Sequence, residues 1–173
     1  MIKPIEKNEQ GTILLDIARA AISRALDIPC PSLYTNSNKV WLSEPGATFV
    51  SLTENQALRG CLGSLYAYSP LIKDVSNNAV SAALHDPRFT PLTARELDLV
   101  TIEVSLLSKL QPLNFSNEKD ALKQLRPGID GIVLEYGPHR STFLPQVWEN
   151  FPLPQQFLAK LKLKAHLSEG FWT

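Results

Sequence analysis

Two pairs of strand-like segments, each pair separated by a short turn, constrain the fold of this chain most strongly. The segments are residues 47–53, 58–65, 132–136 and 139–144. A short loop between two such segments predicts an antiparallel hairpin, and Gly137-Pro138 between the second pair is typical of one. Residues 101–106 predict a further strand, because apolar and polar side chains alternate cleanly there.

Helical periodicity occupies the segments around these strands. Apolar residues recur at helical spacing over residues 12–28, and the other predicted helices cover residues 71–85, 116–125 and about 155–167. Ser69 is predicted to cap the second helix, and Asp86-Pro87 is predicted to end it. Hairpins interspersed with helices indicate an α+β fold, mainly antiparallel sheet with flanking helices.

Local signals predict the remaining loops and surfaces. Residues 29–46 are rich in proline and asparagine and are predicted to form an ordered loop. Thr93 and Glu96 have the spacing of a capping box, which predicts one or two helical turns. Three lysines occupy every second position of the last predicted helix and are therefore predicted to lie on a solvated surface: Lys160, Lys162 and Lys164.

Size and composition limit the classes of function. The 173 residues suit one domain, and 17 basic residues balance 17 acidic ones, so no broad field favours nucleic acid or an anionic membrane. No apolar run has the length of a signal peptide or a membrane span, which predicts a cytoplasmic protein. Cys30 and Cys61 are predicted to be free thiols, and the sequence has no metal-ligand or cofactor motif.

The segment Leu-Arg-Gly-Cys-Leu-Gly at residues 58–63 is the strongest candidate for a functional site. Strand alternation predicts that Leu58 and Leu62 point into the core, while Arg59 and Cys61 share the opposite face. A guanidinium beside a thiol stabilises the thiolate, so Cys61 is a candidate nucleophile. The alternative is that Cys61 packs as a small buried hydrophobe, because free cysteine is among the most buried residue types.

Two further polar sets are candidates for ligand binding. Arg88 follows the second predicted helix and could hold an anion, although an ion pair with Asp86 that fixes the turn is the competing interpretation. Glu103 and Ser105 share one face of the predicted strand 101–106, where Glu103 is a candidate partner for either arginine. An exposed sheet face would give the same pattern.

The predicted site therefore has one catalytic candidate, Cys61. Its predicted ligand-binding residues are Arg59, Gly60, Gly63, Asp86, Arg88, Glu103 and Ser105. The two glycines are expected to mark a bulge or a close approach of another group, and to leave room beside the thiol. No histidine lies near Cys61 in sequence, so His85 or His139 could serve as its base only through the fold.

Several motifs in order along the chain resemble the AMMECR domain family, whose prokaryotic members are known as protein A of the AmmeMemoRadiSam system. They are Leu14 to Arg19, Phe49 to Leu52, Leu58 to Gly63, Asn78-Ala79, Ala82-Ala83, Asp86 to Phe89, Glu96-Leu97, Glu103 to Ser105, Gly128 to Gly131 and Leu144 to Trp148. The resemblance covers nearly the whole chain.

The resemblance implies a single domain over residues 1–173, made of a larger and a smaller subdomain with a cleft between them. Both chain termini are expected in the larger subdomain. It also implies that the hexapeptide at residues 58–63 carries the family's function, and that Memo-type and radical-SAM proteins act in the same pathway.

The chain departs from the family pattern at four positions. Gln56 and His166 stand where the family commonly shows glycine, Leu62 replaces a usual isoleucine, and Lys162 stands where cysteine is often found.

Two functions follow as hypotheses from these observations. The first is an enzyme or small-molecule-binding protein with a polar or anionic ligand and Cys61 as nucleophile or acid/base. The second is a non-catalytic accessory or protein-interaction module of the same pathway, which accords with the lack of a base or metal set beside Cys61.

Overall fold

The computed structural model describes residues 9–29 and 39–172. Residue contacts divide the chain into two compact units, of which the first ends at Leu107 and the second begins at Ser108. Each unit contains antiparallel strands and helices, so the predicted α+β class is confirmed. The expected cleft and the expected position of the chain termini stay predictions.

The first unit is built on a three-stranded antiparallel sheet with the strand order β3-β2-β5. Its strands are β2 (Thr48–Glu54), β3 (Ala57–Gly63) and β5 (Thr101–Leu106). Two long helices, α1 (Glu9–Ala25) and α3 (Leu71–Leu84), pack against one face of this sheet. The short elements are α2 (Val40–Ser43), β1 (Pro45–Gly46) and β4 (Ser69–Pro70).

A single apolar cluster joins these helices to the sheet. Its buried members include Ile17, Ile22, Val50, Leu52, Val75 and Ala79. Helix α1 contributes its apolar stripe at helical spacing, as the sequence predicts. Because α1 and α3 cover one face, we call the opposite face of the sheet its outer face.

Two local predictions in the first unit are wrong. Ser69 does not cap α3, because it lies in strand β4 and pairs there with Gly46 of β1. The N-cap residue of α3 is Pro70, which makes no side-chain capping bond. Residues 29–46 are not all loop, since helix α2 and strand β1 occupy part of this range. Cys30 lies outside the described residues.

The second unit contains the other predicted hairpin and two helices. Its elements are α4 (Glu118–Gln124), β6 (Ile132–Tyr136), β7 (His139–Phe143), a 3-10 helix (Pro145–Glu149) and α5 (Pro154–Lys164). Trp148 stacks on Phe157 with ring centroids 3.8 Å apart, and both side chains are buried. Aromatic packing thus supplies the core of this unit.

Lys162 on α5 corrects the prediction of a solvated lysine surface. Its side chain is only 2% exposed, and Nζ lies 2.6 Å from Glu118 Oε1. Nζ also donates to the carbonyl of Glu169 at 3.2 Å and lies over the ring of Trp172. Lys162 is buried because it bridges α4 and the C-terminal segment.

His166 adopts the left-handed conformation just after α5, with φ of 60°. The amides of His166 and Leu167 bond to carbonyls of the last helical turn. Glycine is favoured at this point of a helix end, which gives a physical reason for the glycine that the family commonly shows there. None of the described helices combines the length and apolar character that crossing a membrane requires.

Candidate functional site

The hexapeptide forms most of β3, an edge strand whose pairing with β2 contains a bulge. Thr53 pairs with Leu58, but Leu52 pairs with Gly60, so Arg59 is an extra residue on β3. An extra residue shifts the alternation of every side chain beyond it. The predicted faces are therefore wrong for Leu58, which is 43% exposed, whereas Leu62 packs against the core as predicted.

The bulge places Cys61 on the outer face, in line with two polar residues. Cys61 pairs with Ser51 on β2, and Ser51 pairs in turn with Glu103 on β5. The Ser51 hydroxyl donates to Cys61 Sγ at 3.2 Å. Cys61 is half-buried, so the alternative that it is a fully buried hydrophobe does not describe this structure.

Ser105 lies one pairing step further along the same outer face. It pairs with Phe49 and is buried, whereas Glu103 is exposed. The Ser105 hydroxyl lies 3.5 Å from Glu103 Oε1. The structure therefore brings Cys61, Glu103 and Ser105 onto one face.

Asp86 and Arg88 bind the main chain of Cys61 at the open edge of β3. The Cys61 amide donates to Asp86 Oδ2 at 2.8 Å, and Arg88 Nη2 donates to the Cys61 carbonyl at 3.1 Å. The two side chains also pair with each other, with Arg88 Nη2 2.7 Å from Asp86 Oδ2. They satisfy the groups that a neighbouring strand would otherwise satisfy.

The electrostatics of this pair depend on burial and short hydrogen bonds. The Arg88 guanidinium holds the pKa of the buried Asp86 far below its usual range, and the amides of Cys61 and Arg88 add to this effect against the cost of burial. In turn, Asp86 raises the pKa of Arg88, with smaller contributions from Cys61. Arg88 is thus the guanidinium that the fold brings to Cys61, where it binds the main-chain carbonyl.

Arg59 is held away from Cys61 by another set of contacts. Its Nη2 lies 3.0 Å from Glu96 Oε1, and its Nη1 donates to the carbonyl of Thr90 at 2.8 Å. Each arginine has a carboxylate partner other than the predicted Glu103: Arg59 is bound to Glu96, and Arg88 is bound to Asp86. The Asp86–Arg88 ion pair also fixes the turn that joins the two residues, as the alternative to anion binding predicts.

Glu96 also ties together the segment that precedes β5. Its Oε2 accepts bonds from the Thr93 amide and hydroxyl, both at 2.7 Å. These two bonds and, to a smaller extent, the ion pair with Arg59 hold the pKa of Glu96 below its usual range. The predicted capping residues do interact, but the segment forms successive turns instead of a regular helix.

The two glycines of the hexapeptide serve close packing. A Cβ on Gly60 would lie 2.1 Å from the carbonyl oxygen of Ala82 on α3, and one on Gly63 would lie 2.5 Å from the Thr48 carbonyl oxygen. The predicted bulge and close backbone approach are both present. The predicted room beside the thiol is absent, because helix α3 and strand β2 fill the space that the missing glycine side chains leave.

The two candidate bases occupy different parts of the chain. His85 is the exposed C-cap residue of α3. His139 lies in the second unit, where its Nδ1 is 2.8 Å from the Ala165 carbonyl oxygen. Over residues 9–29 and 39–172, the structure contains no group of three or more His, Cys, Asp or Glu side chains arranged to hold a metal ion.

Sequence reasoning missed two residues of this region, Ser51 and Glu96. Glu96 was visible as part of a capping box, but nothing in the sequence linked it to Arg59. Ser51 could be placed beside Cys61 only if the bulge at Arg59 were known, because a regular hairpin would place Ser51 opposite Gly60.

A model of the AMMECR1 family matches residues 15–173. The chain belongs to the AMMECR1 family. A protein of Thermofilum pendens is 32% identical over 179 residues, which cover 95% of this chain and 82% of that protein. A protein of Methanocaldococcus jannaschii is 34% identical over 167 residues, with the same coverage of 95% and 82%. The resemblance inferred from the motifs is therefore confirmed.

The AMMECR1 fold is also present in a solved structure. The crystal structure of an uncharacterised protein from Pyrococcus horikoshii matches with a TM-score of 0.85 and 30% sequence identity. The match covers 94% of this chain and 83% of that one. It confirms the α+β fold.

Proposed function

We propose that this AMMECR1-family domain binds a small anionic ligand at the outer face of the first unit's sheet. Cys61 is the reactive group of the proposed site, as nucleophile or acid/base, and Arg88 holds the anion. Glu103 and Ser105 border the ligand on the same face. Asp86 orients Arg88 and does not contact the ligand.

The observation that carries this proposal is the arrangement of Arg88. Two of its nitrogens, Nε and Nη2, bind Asp86, and Nη2 also donates to the Cys61 carbonyl. The Arg88 side chain is 53% exposed, whereas its carboxylate partner is 2% exposed. A buried carboxylate thus fixes an accessible guanidinium beside a half-buried thiol.

This arrangement suits anionic oxygen atoms in particular. A guanidinium fixed by one carboxylate loses little conformational freedom when it binds a second anion, and charge-assisted hydrogen bonds are stronger than neutral ones. The same positive charge favours the thiolate form of a nearby cysteine, which is the nucleophilic form. Binding and thiol chemistry would therefore depend on one residue.

A specific observation also supports the second hypothesis, a non-catalytic accessory module that serves Memo-type or radical-SAM proteins. Arg59, Asp86 and the two glycines of the hexapeptide all have contacts within the first unit that explain them without a ligand. Under this hypothesis the hexapeptide maintains the shape of a docking domain, and Cys61 has no chemical role.

Protection of Cys61 from alkylation distinguishes the two functions. In a Cys30→Ser background, iodoacetamide modification of Cys61 is followed by mass spectrometry with inorganic phosphate, sulfate and a panel of small carboxylates and phosphomonoesters. We expect at least one anion to slow the modification at millimolar concentration, and Arg88→Gln to abolish that protection.

Arg59→Gln is the matched control, because Arg59 is also paired with a carboxylate but is bound away from Cys61. It should retain the protection if it remains folded by circular dichroism. Equal alkylation rates with and without every anion would contradict the proposal and favour the accessory module. A Cys61→Ser variant that is folded, binds the anion as before and leaves the output of the pathway shared with Memo-type and radical-SAM proteins unchanged would contradict the reactive role of Cys61.

A further inference from the structure

Ser51 on the central strand donates its hydroxyl hydrogen to Cys61 Sγ, at an Oγ to Sγ distance of 3.2 Å. It pairs directly with Cys61 on one side and with Glu103 on the other. A central strand pairs with a neighbouring strand on each side, so its residues are more constrained than those of an edge strand. Ser51 is therefore held beside the sulfur by main-chain pairing on both of its sides.

The bulge at Arg59 creates this contact. If pairing continued regularly from Thr53 and Leu58, Ser51 would face Gly60, and Cys61 would face the buried Val50. The extra residue moves the sulfur to the outer face, opposite a hydroxyl. The strand irregularity and the hydroxyl are thus parts of one arrangement.

We propose that Ser51 is a positioning residue for Cys61, whose hydroxyl fixes the sulfur on the outer face and stabilises its thiolate form. This inference rests on the proposed function of Cys61 as the reactive group. A thiolate accepts hydrogen bonds, and a donor held by the central strand needs no rearrangement to supply one. Ser51 and Arg88 approach the same residue from different elements, a strand and a turn.

The test compares the rate of Cys61 alkylation at pH 7 with the rate at about pH 10, where an ordinary thiol is ionised. In the Cys30→Ser background, Ser51→Ala should lower the ratio of the rate at pH 7 to the rate at pH 10 about fivefold. A fivefold change is the typical effect of one hydrogen bond. Ser51→Thr, which keeps the hydroxyl, should restore most of the ratio.

Thr53→Val is the matched control, because Thr53 lies on the same face of the same strand but pairs with Leu58. It should leave the ratio unchanged. An unchanged ratio in Ser51→Ala, or a loss of equal size at both pH values, would overturn the inference, since a merely structural effect on access does not depend on thiol ionisation.

The two proposals fail in different ways. Loss of anion protection in Arg88→Gln together with a normal rate ratio in Ser51→Ala would overturn the role of Ser51 and leave the proposed function standing. Absence of protection by any anion in the unsubstituted protein would contradict anion binding, whatever Ser51→Ala shows.

Discussion

The two hairpins of this protein differ in the regularity of their strand pairing. In the second unit, β6 and β7 pair without interruption from Tyr136 and His139 to Ile132 and Phe143. In the first unit, the pairing of β2 and β3 shifts by one residue next to Thr53. Both hairpins have two-residue turns with positive φ, at Gly137 in one and at Asn55 and Gln56 in the other.

The difference shows what one extra residue can do to a site. In β6 and β7 the side chains alternate without a break, so Ser141 and Phe143 face α5, where Ser141 bonds to the Leu161 carbonyl. In β3 the bulge moves Cys61 outward and Leu62 inward. The regular hairpin serves packing, and the irregular one presents the candidate chemistry.

Substitution of the glycine next to the bulge should destabilise the protein most. Gly60→Ala should lower the free energy of unfolding by about 3 kcal/mol or more, because its Cβ would meet a main-chain carbonyl of α3. Gly137→Ala in the regular hairpin should cost only about 1 kcal/mol, since its cost arises from a positive φ without a clash. Urea unfolding monitored by circular dichroism measures both.

Gly170→Ala is the control for this comparison, because no atom of the described residues, apart from its chain neighbours, lies within 4 Å of the added Cβ. It should be close to neutral. Equal costs for Gly60→Ala and Gly137→Ala would contradict the close packing of β3 on α3.

The next effect concerns the side chains that replace a neighbouring strand at the edge of β3. Asp86→Asn should lower the free energy of unfolding at pH 7 by about 2 kcal/mol, because it removes the buried charge that binds Arg88 and weakens the bond to the Cys61 amide. The exposed carboxylate Asp98, 3.6 Å from Arg19, provides the control Asp98→Asn, which should have little effect.

The effect of Asp86→Asn should depend on pH in a defined direction. The pKa of Asp86 is lowered in the folded protein, so its stabilisation is complete above the ordinary carboxyl pKa of about 4 and is lost as the pH falls through the folded value. The stability difference between the unsubstituted protein and Asp86→Asn should therefore narrow between pH 5 and pH 2. A difference that stays constant with pH would show that the charge of Asp86 is not what stabilises the edge.

The smallest expected effect concerns the turn of the irregular hairpin. Gln56 has φ of 66°, a conformation that glycine adopts without strain. Gln56→Gly should raise the free energy of unfolding by about 0.5 kcal/mol, because relief of strain is partly offset by the greater freedom of glycine in the unfolded chain. Gln56→Ala keeps the strain and should show no gain. Destabilisation by glycine would mean that the Gln56 side chain contributes contacts of its own.

The sequence predicted the fold well where local signals and tertiary packing agree. The helices, both hairpins and strand β5 are all present, because periodicity and turn residues are local properties that packing did not override. Ser69 illustrates the opposite case, since pairing with Gly46 replaced its predicted capping role.

The candidate site was less predictable because it depends on long-range contacts. Cys61 and Arg88 were identified from the sequence, but their proximity arises from the turn after α3 lying along the edge of β3. The pairing of Arg59 with Glu96 and the position of Ser51 beside Cys61 follow from the bulge. The two glycines of the hexapeptide indicated a bulge, but they did not show which residue is the extra one. Lys162 was misassigned because spacing within a helix does not show which side faces Glu118.

Thiol reactivity along β3 tests most directly whether the bulge turns Cys61 to the outer face. In a Cys30→Ser background, the native Cys61 is compared with a thiol moved to position 62 by Cys61→Ala and Leu62→Cys, or to position 58 by Cys61→Ala and Leu58→Cys. Because of the bulge, we expect folded protein to react readily with iodoacetamide at positions 61 and 58 and slowly at position 62. Rapid reaction at position 62 with protection at position 61 would contradict the bulge and the outward position of Cys61.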